Sequence, residues 1–593
     1  MLFRVTSFAL LLSISLSTRA AEPRRQPRDS GSAVVNQWMK SMSLRDKAAQ
    51  LISMACYGEA PSKRSDDYKK FQHWVRDLRI GGLIVNNRIT GGQVRNAEPH
   101  AMALFLNQMQ RQARVPLIVG GDFERGASMR VANTVKFPYP MAYGAANDLA
   151  ATRALGAETA REARALGVQW VYGPDADVNN NPENPIINIR SFGEDPRAVA
   201  AQVGAFIDGA HAETSARVLI TAKHFPGHGD TSTDSHLGLP RVDADRARMS
   251  QVELVPFRAA IEHGVDSIMT AHLAVPAYEP ESIPATVSKN ILTGLLRVDL
   301  GFRGIIITDA MDMQGLTKLF PPGEASVRAL EAGVDMLLMP TDPEQAIQDI
   351  VAAVKNGRLS RKRIDQSVSK LLSAKARVGL PRRRIVDLDE ISDVLDNEDA
   401  QAQAQRVADE ALTLVRNDNG AFPFRNPENS CVVALSEGRF SQEGRRLGDE
   451  VRKRNPKIRF FLLDPSADEA VAADVVQKTA SCESVAVAAF VTVGAYHGNV
   501  ALPGVFPDLV TQLTSAQAPV TLIALGNPYL LKAFPKVAAY IAAFSPVPVS
   551  EAATVKALFG EIPITGHMPV SIPGFAKIGD GIQLGAAHSL SSK

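Results

Sequence analysis

The sequence has little cysteine. Its 593 residues include only 3 cysteines, widely spaced and odd in number, so a disulfide framework does not hold this fold together. We expect a buried thiol at each of Cys56, Cys431 and Cys482, and a pairing of Cys431 with Cys482 stays open. None of the three has the spacing of a metal ligand.

An excess of charge is also missing. Lys and Arg number 65 and Asp and Glu 63, which gives a net charge of +2. The chain therefore has no large positive electrostatic potential that would attract nucleic acid, and we expect no nucleic-acid partner. With 45% hydrophobic and 22% charged residues, the composition is that of a globular protein large enough for two domains.

Long apolar runs are absent too. The run from Phe8 to Leu16 is too short to span a membrane comfortably. Arg4 precedes it and the small residues Ala20 and Ala21 follow it, which is the pattern of a secretory signal peptide. We expect residues 1–21 to be a signal peptide and the mature protein to be exported without a membrane span, and we leave periplasm and medium open.

Short apolar runs are plentiful, and eight recur between residues 50 and 340. They are LISMAC, GGLIVNN, PLIVGGD, VQWVYGPDADV, VLITAKHF, DSIMTAHL, GIIITDAMD and DMLLMP. Each pair is separated by room for a helix, and one such segment, DLAATRALGAETAREARALG, has helical spacing and reaches Gly167, where a helix should stop. Parallel strands covered on both faces show this pattern. It predicts a (β/α)8 barrel over residues 34–378, with a doubly wound open sheet as the alternative.

The amino-acid composition changes after the eighth apolar run. A charged stretch punctuated by Gly and Pro predicts a linker over residues 379–400. A second set of apolar runs then alternates with helical segments: TLVRND, CVVALS, FFLLD, VAVAAFVTV, VTLIALGNP and AYIAAF. We expect a smaller α/β sandwich domain over residues 401–588.

Ionisable residues collect at the ends of the barrel strands, where such barrels carry their chemistry. The residues at these ends are Asp122, Asp175, Lys223, His224, His272 and Asp309. The densest segment, KHFPGHGDTSTDSHLG, runs from Lys223 to Gly238, and its Pro and Gly residues predict a loop. Within it Asp234 and His236 are two apart, a spacing at which the carboxylate can fix the tautomer of the imidazole and prepare it for proton transfer.

Asp309 follows four apolar residues, so its carboxylate should emerge at the mouth of the barrel. A retaining glycosidase needs a carboxylate to attack the anomeric carbon and a second group to protonate the leaving oxygen. Asp309 and His236 can fill these roles. Asp312 is the rival carboxylate, but we expect it at the start of the following helix, in a structural role.

Several motifs together carry a resemblance: KHFPGHGD with TDSH, RSFGEDP, MTAHLAVPAY, IPATVS and IITDAMDM. In this order they resemble the β-N-acetylglucosaminidases of glycoside hydrolase family 3, over most of residues 34 to 375, with weaker similarity in TLVRND and GHMPVSIPG. The resemblance implies a (β/α)8 barrel with Asp309 as nucleophile and Asp234 and His236 as the acid/base pair. It further implies sugar contacts at or just after strand ends, from Asp122, Arg190, Lys223 and His224.

One segment departs from the family pattern. Where the family more often has Asp-Gln-Glu-Gly-Gly, this chain reads GGDFERGASMR, with Phe123 and Arg125 inside the pattern. Asp122 still aligns. Arg130 is a candidate sugar contact, and a structural ion pair of Glu124 with Arg130 is the alternative.

Other functions stay open at this point. A family 3 β-glucosidase is one alternative, although those enzymes lack the Asp-Ser-His motif. An N-acetylglucosaminide phosphorylase, which would use phosphate in place of water, is another. A metal-dependent hydrolase would need zinc bound by a set drawn from His224, His228, Asp234, His236 and His272. A Ser235 nucleophile lacks the required surroundings, and a non-catalytic sugar-binding protein is the remaining alternative.

The implied substrate is a carbohydrate with terminal N-acetylglucosamine. Exported enzymes that resemble this chain act on muropeptides, which implies peptidoglycan turnover, and chitin fragments are the competing substrate. We expect no cofactor and no metal. Oligomeric state and the role of the second domain stay open.

Overall fold

The computed structural model describes residues 30–90, 93–494 and 498–587. The expected signal peptide, residues 1–21, lies outside these ranges. Within them, no helix combines the length and the apolar character needed to cross a bilayer.

The first sheet follows the eight predicted apolar runs. The first ten strands are β1 (Ile52–Cys56), β2 (Gly82–Val85), β3 (Arg88–Thr90), β4 (Gln93–Arg95), β5 (Ile118–Gly121), β6 (Trp170–Val171), β7 (Leu219–Phe225), β8 (Ser267–Thr270), β9 (Ile305–Thr308) and β10 (Leu337–Leu338). β3 and β4 form a separate hairpin, and the other eight pair in the order β10-β1-β2-β5-β6-β7-β8-β9, all parallel. A parallel bridge between Ile307 and Met336 joins β9 to the start of β10. The predicted (β/α)8 barrel is therefore confirmed, and the open sheet is excluded.

Helices surround this barrel. They are α1 (Ser30–Lys40), α2 (Leu44–Ala49), α3 (Asp66–Gln72), α4 (Pro99–Gln112), α5 (Pro140–Ala146), α6 (Leu149–Ala165), α7 (Pro196–Ala212), α8 (Arg246–Gln251), α9 (Val255–Glu262), α10 (Gln314–Thr317), α11 (Pro322–Ala332), α12 (Pro343–Lys355) and α13 (Arg361–Arg377). Two π-helical segments add to them, His73–Leu78 and Asn290–Asp299. The Asp148 carboxylate caps α6 by accepting a hydrogen bond from the Ala150 amide at 2.8 Å, and Gly167 follows this helix with a φ of 82°.

The second domain is built on a mixed sheet. Its elements are α14 (Ile391–Leu395), α15 (Glu398–Ala411), β11 (Thr413–Asn417), β12 (Ser430–Leu435), α16 (Arg445–Arg454), β13 (Arg459–Leu463), α17 (Glu469–Thr479), β14 (Ser484–Val491), α18 (Phe506–Thr514), β15 (Val520–Gly526), α19 (Leu530–Ala533), β16 (Ala539–Ala542) and α20 (Pro548–Leu558). The strand order is β11-β16-β15-β14-β12-β13, and only the β11–β16 pair is antiparallel. Alternate residues of β12 face different cores, with Val433 in one and Val432 in the other. The sheet is thus buried on both faces, as the predicted α/β sandwich requires.

The two domains share packing. Met141 and Ala142 of α5 lie in the same apolar cluster as Val570 and Ile572 from the end of the chain. The expected linker, residues 379–400, contains α14 and the first residues of α15. Its bounds stay a prediction.

The expectation of three free thiols is wrong for two of them. Cys431 and Cys482 form a disulfide with a Cα–Cα distance of 6.0 Å, while Cys56 is buried and free. β12 and β14 are neighbouring strands, and this adjacency brings Cys431 on β12 close to Cys482, which lies just before β14.

Candidate active site

The carboxyl ends of the barrel strands bring the candidate residues to one end of the molecule. Asp122 directly follows β5, Lys223 and His224 lie within β7, and Asp309 directly follows β9. Because the strands are parallel, these side chains belong to the same mouth of the barrel. The predicted loop from Lys223 to Gly238 therefore starts later than expected, since β7 runs on to Phe225.

Asp309 is held in an ionised state. Its Oδ1 accepts a hydrogen bond from the Ala310 amide at 2.7 Å. Burial alone would raise the pKa of this carboxyl, but the positive charge of His224, with smaller effects from the Ala310 amide hydrogen bond and from Lys223, outweighs burial and lowers the pKa below its ordinary value. A carboxylate that stays charged in a half-buried position suits nucleophilic attack.

His272 fixes the segment that carries Asp309. Its Nε2 lies 2.9 Å from the Ala310 carbonyl oxygen and must donate there, because a carbonyl has no proton. Burial lowers the pKa of His272, and its Nδ1 lies 2.8 Å from the hydroxyl oxygen of Thr286, a residue of the IPATVS motif. His272 therefore positions the main chain next to Asp309.

Asp234 and His236 make the predicted contact. Asp234 Oδ1 lies 2.8 Å from His236 Nδ1 and also accepts from the His236 amide at 2.8 Å. The carboxylate is buried and the imidazole is partly exposed. Since Asp234 holds Nδ1, proton exchange with a substrate falls to Nε2.

The acid/base loop, by which we mean residues 226–238, docks on the segment that follows Asp309. The Gly315 amide donates to the Ser235 carbonyl at 3.2 Å, and the Lys318 ammonium donates to the Leu237 carbonyl at 2.9 Å. These two contacts join the loop that carries Asp234 and His236 to the segment that follows Asp309.

Close backbone packing shapes the start of this loop. A Cβ at Gly229 would lie 1.7 Å from the Val178 carbonyl oxygen, so only glycine fits there. The Asn184 amide group then donates to the carbonyls of His228 and Gly229 at 2.9 and 2.8 Å. Residues of the loop after β6 therefore hold the acid/base loop in place.

An ion network joins Asp122, Glu124, Arg130, Arg190 and Lys223. Asp122 accepts from Arg130 at 2.8 Å and from Lys223 at 2.9 Å. Glu124 accepts from Lys223 at 2.7 Å and is held bidentately by Arg190 at 2.7 and 3.1 Å. Burial opposes charge on Asp122, but Lys223 and Arg130 outweigh it and lower its pKa. The carboxylates of Asp122 and Glu124 in turn outweigh burial and raise the pKa of Lys223.

Two expectations about this network are corrected. Glu124 and Arg130 do not pair with each other, because each finds a different partner in the network. Arg190 does not follow a strand directly. It lies on a single 3-10 turn, Asn188–Arg190, deep in the long loop after β6.

His224 carries a charge of its own. Burial would lower the pKa of its imidazole, but the carboxylates of Asp175 and Asp177 outweigh burial and raise the pKa to about 10. Asp177 Oδ2 lies 2.8 Å from His224 Nδ1, and Asp177 Oδ1 accepts from the His228 amide at 2.6 Å. Asp175, close to Asp177 and Glu124, is buried and its pKa is raised.

Asp312 is placed apart from this network. It lies in a turn before α10 rather than at the helix start that we expected, and its side chain is exposed. Partial desolvation by its neighbours, reinforced by the charge of Asp309, raises the pKa of Asp312, whereas that of Asp309 is lowered. Of the two carboxylates, Asp309 is the one that keeps its charge further into the acid range.

The zinc alternative requires its histidines to converge. Among residues 30–90, 93–494 and 498–587, the ligand atoms close enough to share one ion belong to Asp175, Asp177 and His224. The carboxylates of Asp175 and Asp177 raise the pKa of His224 to about 10, so a proton competes with a metal ion for this ring at neutral pH. The predicted set of His224, His228, Asp234, His236 and His272 is not brought together.

The sequence reasoning missed several residues that position others. Asp177 is one of them, and its position two residues after Asp175, on the same side of an extended chain, is the signal that could have indicated it. Glu124 was noted only as a partner for Arg130, whereas it binds Lys223 and Arg190. Asn184 and Thr286 gave no sequence signal, because their contacts depend on the tertiary fold.

Comparison with known proteins agrees with this geometry. The chain is 36% identical to "Beta-hexosaminidase A" of Pseudoalteromonas piscicida over 363 residues, which are 56% of this chain and 58% of that protein. It is 28% identical to "Beta-N-acetylglucosaminidase/beta-glucosidase" of Cellulomonas fimi over 91% of this chain and 96% of the relative. The chain thus spans less than two thirds of the first relative and nearly all of the second.

The chain also resembles a solved structure and matches two family models. A glycoside hydrolase family 3 β-N-acetylglucosaminidase from Paenibacillus sp. str. FPU-7 superposes with a TM-score of 0.79 at 31% identity, covering 90% of this chain and 99% of that one. The model of the glycosyl hydrolase family 3 N-terminal domain matches residues 43–374, and that of the C-terminal domain matches residues 343–584. The chain therefore belongs to glycosyl hydrolase family 3.

Proposed function

We propose that this protein is a retaining exo-β-N-acetylglucosaminidase that releases terminal β-linked N-acetylglucosamine. The observation that carries the proposal is the docking of the Asp234–His236 pair against the segment of Asp309. An ionised carboxylate and a tautomer-fixed imidazole at one site are the two groups that a retaining hydrolase requires. The names of the Pseudoalteromonas, Cellulomonas and Paenibacillus relatives support this substrate.

In the first step Asp309 attacks the anomeric carbon and forms a covalent glycosyl-enzyme. His236 gives its Nε2 proton to the leaving oxygen, and Asp234 stabilises the imidazole orientation throughout. In the second step the neutral His236 takes a proton from water, which attacks the same carbon and restores the original anomeric configuration.

The ion network serves binding in this proposal. Asp122 and Glu124 offer carboxylate oxygens to sugar hydroxyls, and the cations Lys223, Arg190 and Arg130 keep those oxygens ionised. His224, protonated beside Asp177, donates a charge-assisted hydrogen bond. Pre-organised charges of this kind hold the ring without a cost for reorienting solvent.

We further propose where the enzyme acts and on which natural substrate. The pattern of residues 1–21 supports export. An exported enzyme of this specificity would act on cell-wall fragments, and we propose muropeptides as substrate with chitin fragments as the competitor.

The test is turnover of para-nitrophenyl β-N-acetylglucosaminide beside the glucoside, with and without phosphate and EDTA. We expect preference for the N-acetylglucosaminide, no effect of EDTA, and retention of the β-anomer by NMR. Asp309→Ala and His236→Ala should each lose activity by about a thousandfold or more. Asp312→Asn is the matched control and should keep most activity. Preference for the glucoside, or full activity in Asp309→Ala, would overturn the proposal.

A further inference from the structure

A cleft of about 870 Å³ lies at the amino ends of the barrel strands, on the side opposite to the candidate active site. Small-molecule sites usually have volumes of about 300–1,000 Å³. Its walls come from α13 and from the π-helical segment Asn290–Asp299. Its base includes Arg303, just before β9, and Asp335, just before β10. We call this space the floor cleft.

Positive charge predominates in the lining of the floor cleft. Five cations and two carboxylates line it, so the lining has an excess of three positive charges, more than the +2 of the whole chain. One of the carboxylates, Asp365, pairs at 2.7 Å with Lys47, which lies outside the lining. The other, Asp335, is left to face the five cations, which are Arg297, Arg303, Lys362, Arg363 and Lys370.

Asp335 is buried and does not neutralise the whole cleft. Its Oδ2 lies 2.7 Å from Arg297 Nη2 and 3.0 Å from Lys370 Nζ, and its Oδ1 lies 3.5 Å from Arg363 Nη1. Burial lowers the pKa of Arg297 and of Lys370 against the attraction of Asp335, and repulsion from Arg363 adds to the lowering in both. A single carboxylate among three cations therefore leaves positive charge uncompensated inside the cleft.

The other two cations of the lining have donors to spare. The side chains of Arg303 and Lys362 are exposed, and neither has a hydrogen-bond or ion-pair partner among the described residues. Lys362 also lies in the first turn of α13, where Arg361, Lys362 and Arg363 follow one another without an acidic residue. The amino end of a helix favours negative charge, so three cations in a row are unfavourable there unless an anion joins them.

The donors of this lining match phosphate. Guanidinium groups bind phosphate oxygens through paired hydrogen bonds, and lysine ammonium groups bind them as point charges. A single carboxylate would neutralise one of the excess charges, whereas a compound with several phosphate groups can neutralise all of them. Arg297, Arg363 and Lys370 are only partly exposed, so a ligand must enter the cleft to reach them. A small compound can enter in this way, and a flat charged surface cannot.

We propose that the floor cleft binds a small compound that carries two or more phosphate groups. The ligand would contact Lys362 on α13 and Arg303 in front of β9, and by joining these two parts of the barrel it would stabilise the folded chain. The floor cleft lies at the opposite end of the barrel from Asp309, so this binding is independent of the proposed reaction.

Isothermal titration calorimetry of the purified protein with inorganic tripolyphosphate at low ionic strength tests the proposal. The first variant is Arg303→Gln with Lys362→Gln, which removes the two cations that have no partner and so leaves the contacts of the fold in place. The second variant, Gln366→Glu, adds a negative charge at an exposed position of the same lining. The matched control is Arg217→Gln with Lys457→Gln, which removes the same charge from exposed positions outside the cleft.

We expect the wild type to bind one tripolyphosphate per chain, and to bind inorganic phosphate more weakly because that ion carries fewer charges. The dissociation constant should rise by about tenfold or more in Arg303→Gln with Lys362→Gln and in Gln366→Glu, and by less than about threefold in the control pair. Turnover of para-nitrophenyl β-N-acetylglucosaminide should be the same with and without tripolyphosphate.

Two results would refute the proposal. Absence of binding to the wild type, or an equal loss of affinity in the control pair, would mean that the floor cleft is not a phosphate site. Competition between tripolyphosphate and the nitrophenyl glycoside would place the anion at the cations of the barrel mouth instead. The proposed function is tested separately, because it depends on turnover and not on tripolyphosphate binding.

Discussion

The Asp177 carboxylate lies directly behind the His224 imidazole, with 2.8 Å between Oδ2 and Nδ1. Asp177 is fully buried and its pKa is lowered, against the effect of burial, chiefly by the charge of His224. Because a buried charge is costly without a partner, each of the two groups keeps the other ionised.

We expect Asp177→Asn to lower the pKa of His224 from its value of about 10. His224 would then lose its proton nearer neutral pH, and the basic limb of kcat/KM would move to lower pH. At pH 7 we expect a loss of about tenfold to a hundredfold in kcat/KM. The pH profile on the nitrophenyl substrate measures the change.

Two further variants distinguish an effect of Asp177 on His224 from a general effect on folding. If Asp177 acts through His224, the double variant of Asp177→Asn with His224→Gln should be no worse than His224→Gln alone. Asp243→Asn, an exposed carboxylate further along the chain, should leave the profile unchanged. Additive losses would mean that Asp177 acts through the fold instead.

Asp309 predicts how activity responds to acid. Its pKa lies below the ordinary value because His224 and other cations outweigh its burial. The carboxylate therefore stays charged well into the acid range, and we expect kcat/KM to show no acid limb above about pH 4. In His224→Gln the main stabilising charge is gone, so the acid limb should move to higher pH. A limb above pH 5 in the wild type would contradict this assignment.

The extent of successful prediction differs between the fold and the site. All eight barrel strands lie within the apolar runs of the sequence, and the six strands of the second domain match their runs to within one residue, because strands buried on both faces are largely apolar. The contact of Asp234 with His236 was equally accessible, because only a short turn separates the two residues.

The rest depended on distant parts of the chain meeting. Arg190 reaches Glu124, 66 residues away, from a loop whose path no local pattern indicated. The disulfide joins Cys431 to Cys482 because β12 and β14 are neighbours, although β13 lies between them in sequence. Roles of the site residues stay predictions until variants are measured.

The disulfide should stabilise the second domain. Cys431 and Cys482 are 51 residues apart, and closing a loop of that length is worth up to about 4 kcal/mol through the entropy of the unfolded chain. We expect Cys431→Ala with Cys482→Ala to lower the free energy of unfolding by roughly 2–4 kcal/mol. Urea unfolding measures this free energy. A reductant should lower the free energy of unfolding of the wild type but not that of the double variant. Cys56→Ala is the control for loss of a buried thiol. Because this variant keeps the disulfide, the reductant should lower its free energy of unfolding by the same amount as in the wild type.

The Glu162 carboxyl, beneath the ion network of Asp122 and Arg130, links stability to pH. It is completely buried on α6 and accepts from the amides of Ala127 and Val135 at 3.0 and 2.9 Å, which brace the segment that carries Arg130. Burial raises its pKa from 4.5 to about 7. Between these two pH values the folded chain holds a proton that the unfolded chain has lost, so this group's contribution to stability is full below pH 4.5 and falls as pH rises through 7.

We expect Glu162→Gln to remove this contribution to the pH dependence, which amounts to roughly 3 kcal/mol between the two limits. The glutamine amide can accept at only one of its two positions, so one backbone amide loses its acceptor at a cost of about 1–3 kcal/mol at every pH. Unfolding in urea at pH 4.5, 6 and 8 should therefore show the variant less stable in acid and gaining on the wild type as pH rises. Glu262→Gln, at an exposed position at the end of α9, should follow the wild-type curve. A constant difference between Glu162→Gln and wild type at all three pH values would mean that Glu162 is ionised in the fold throughout, and that its role is confined to the two hydrogen bonds.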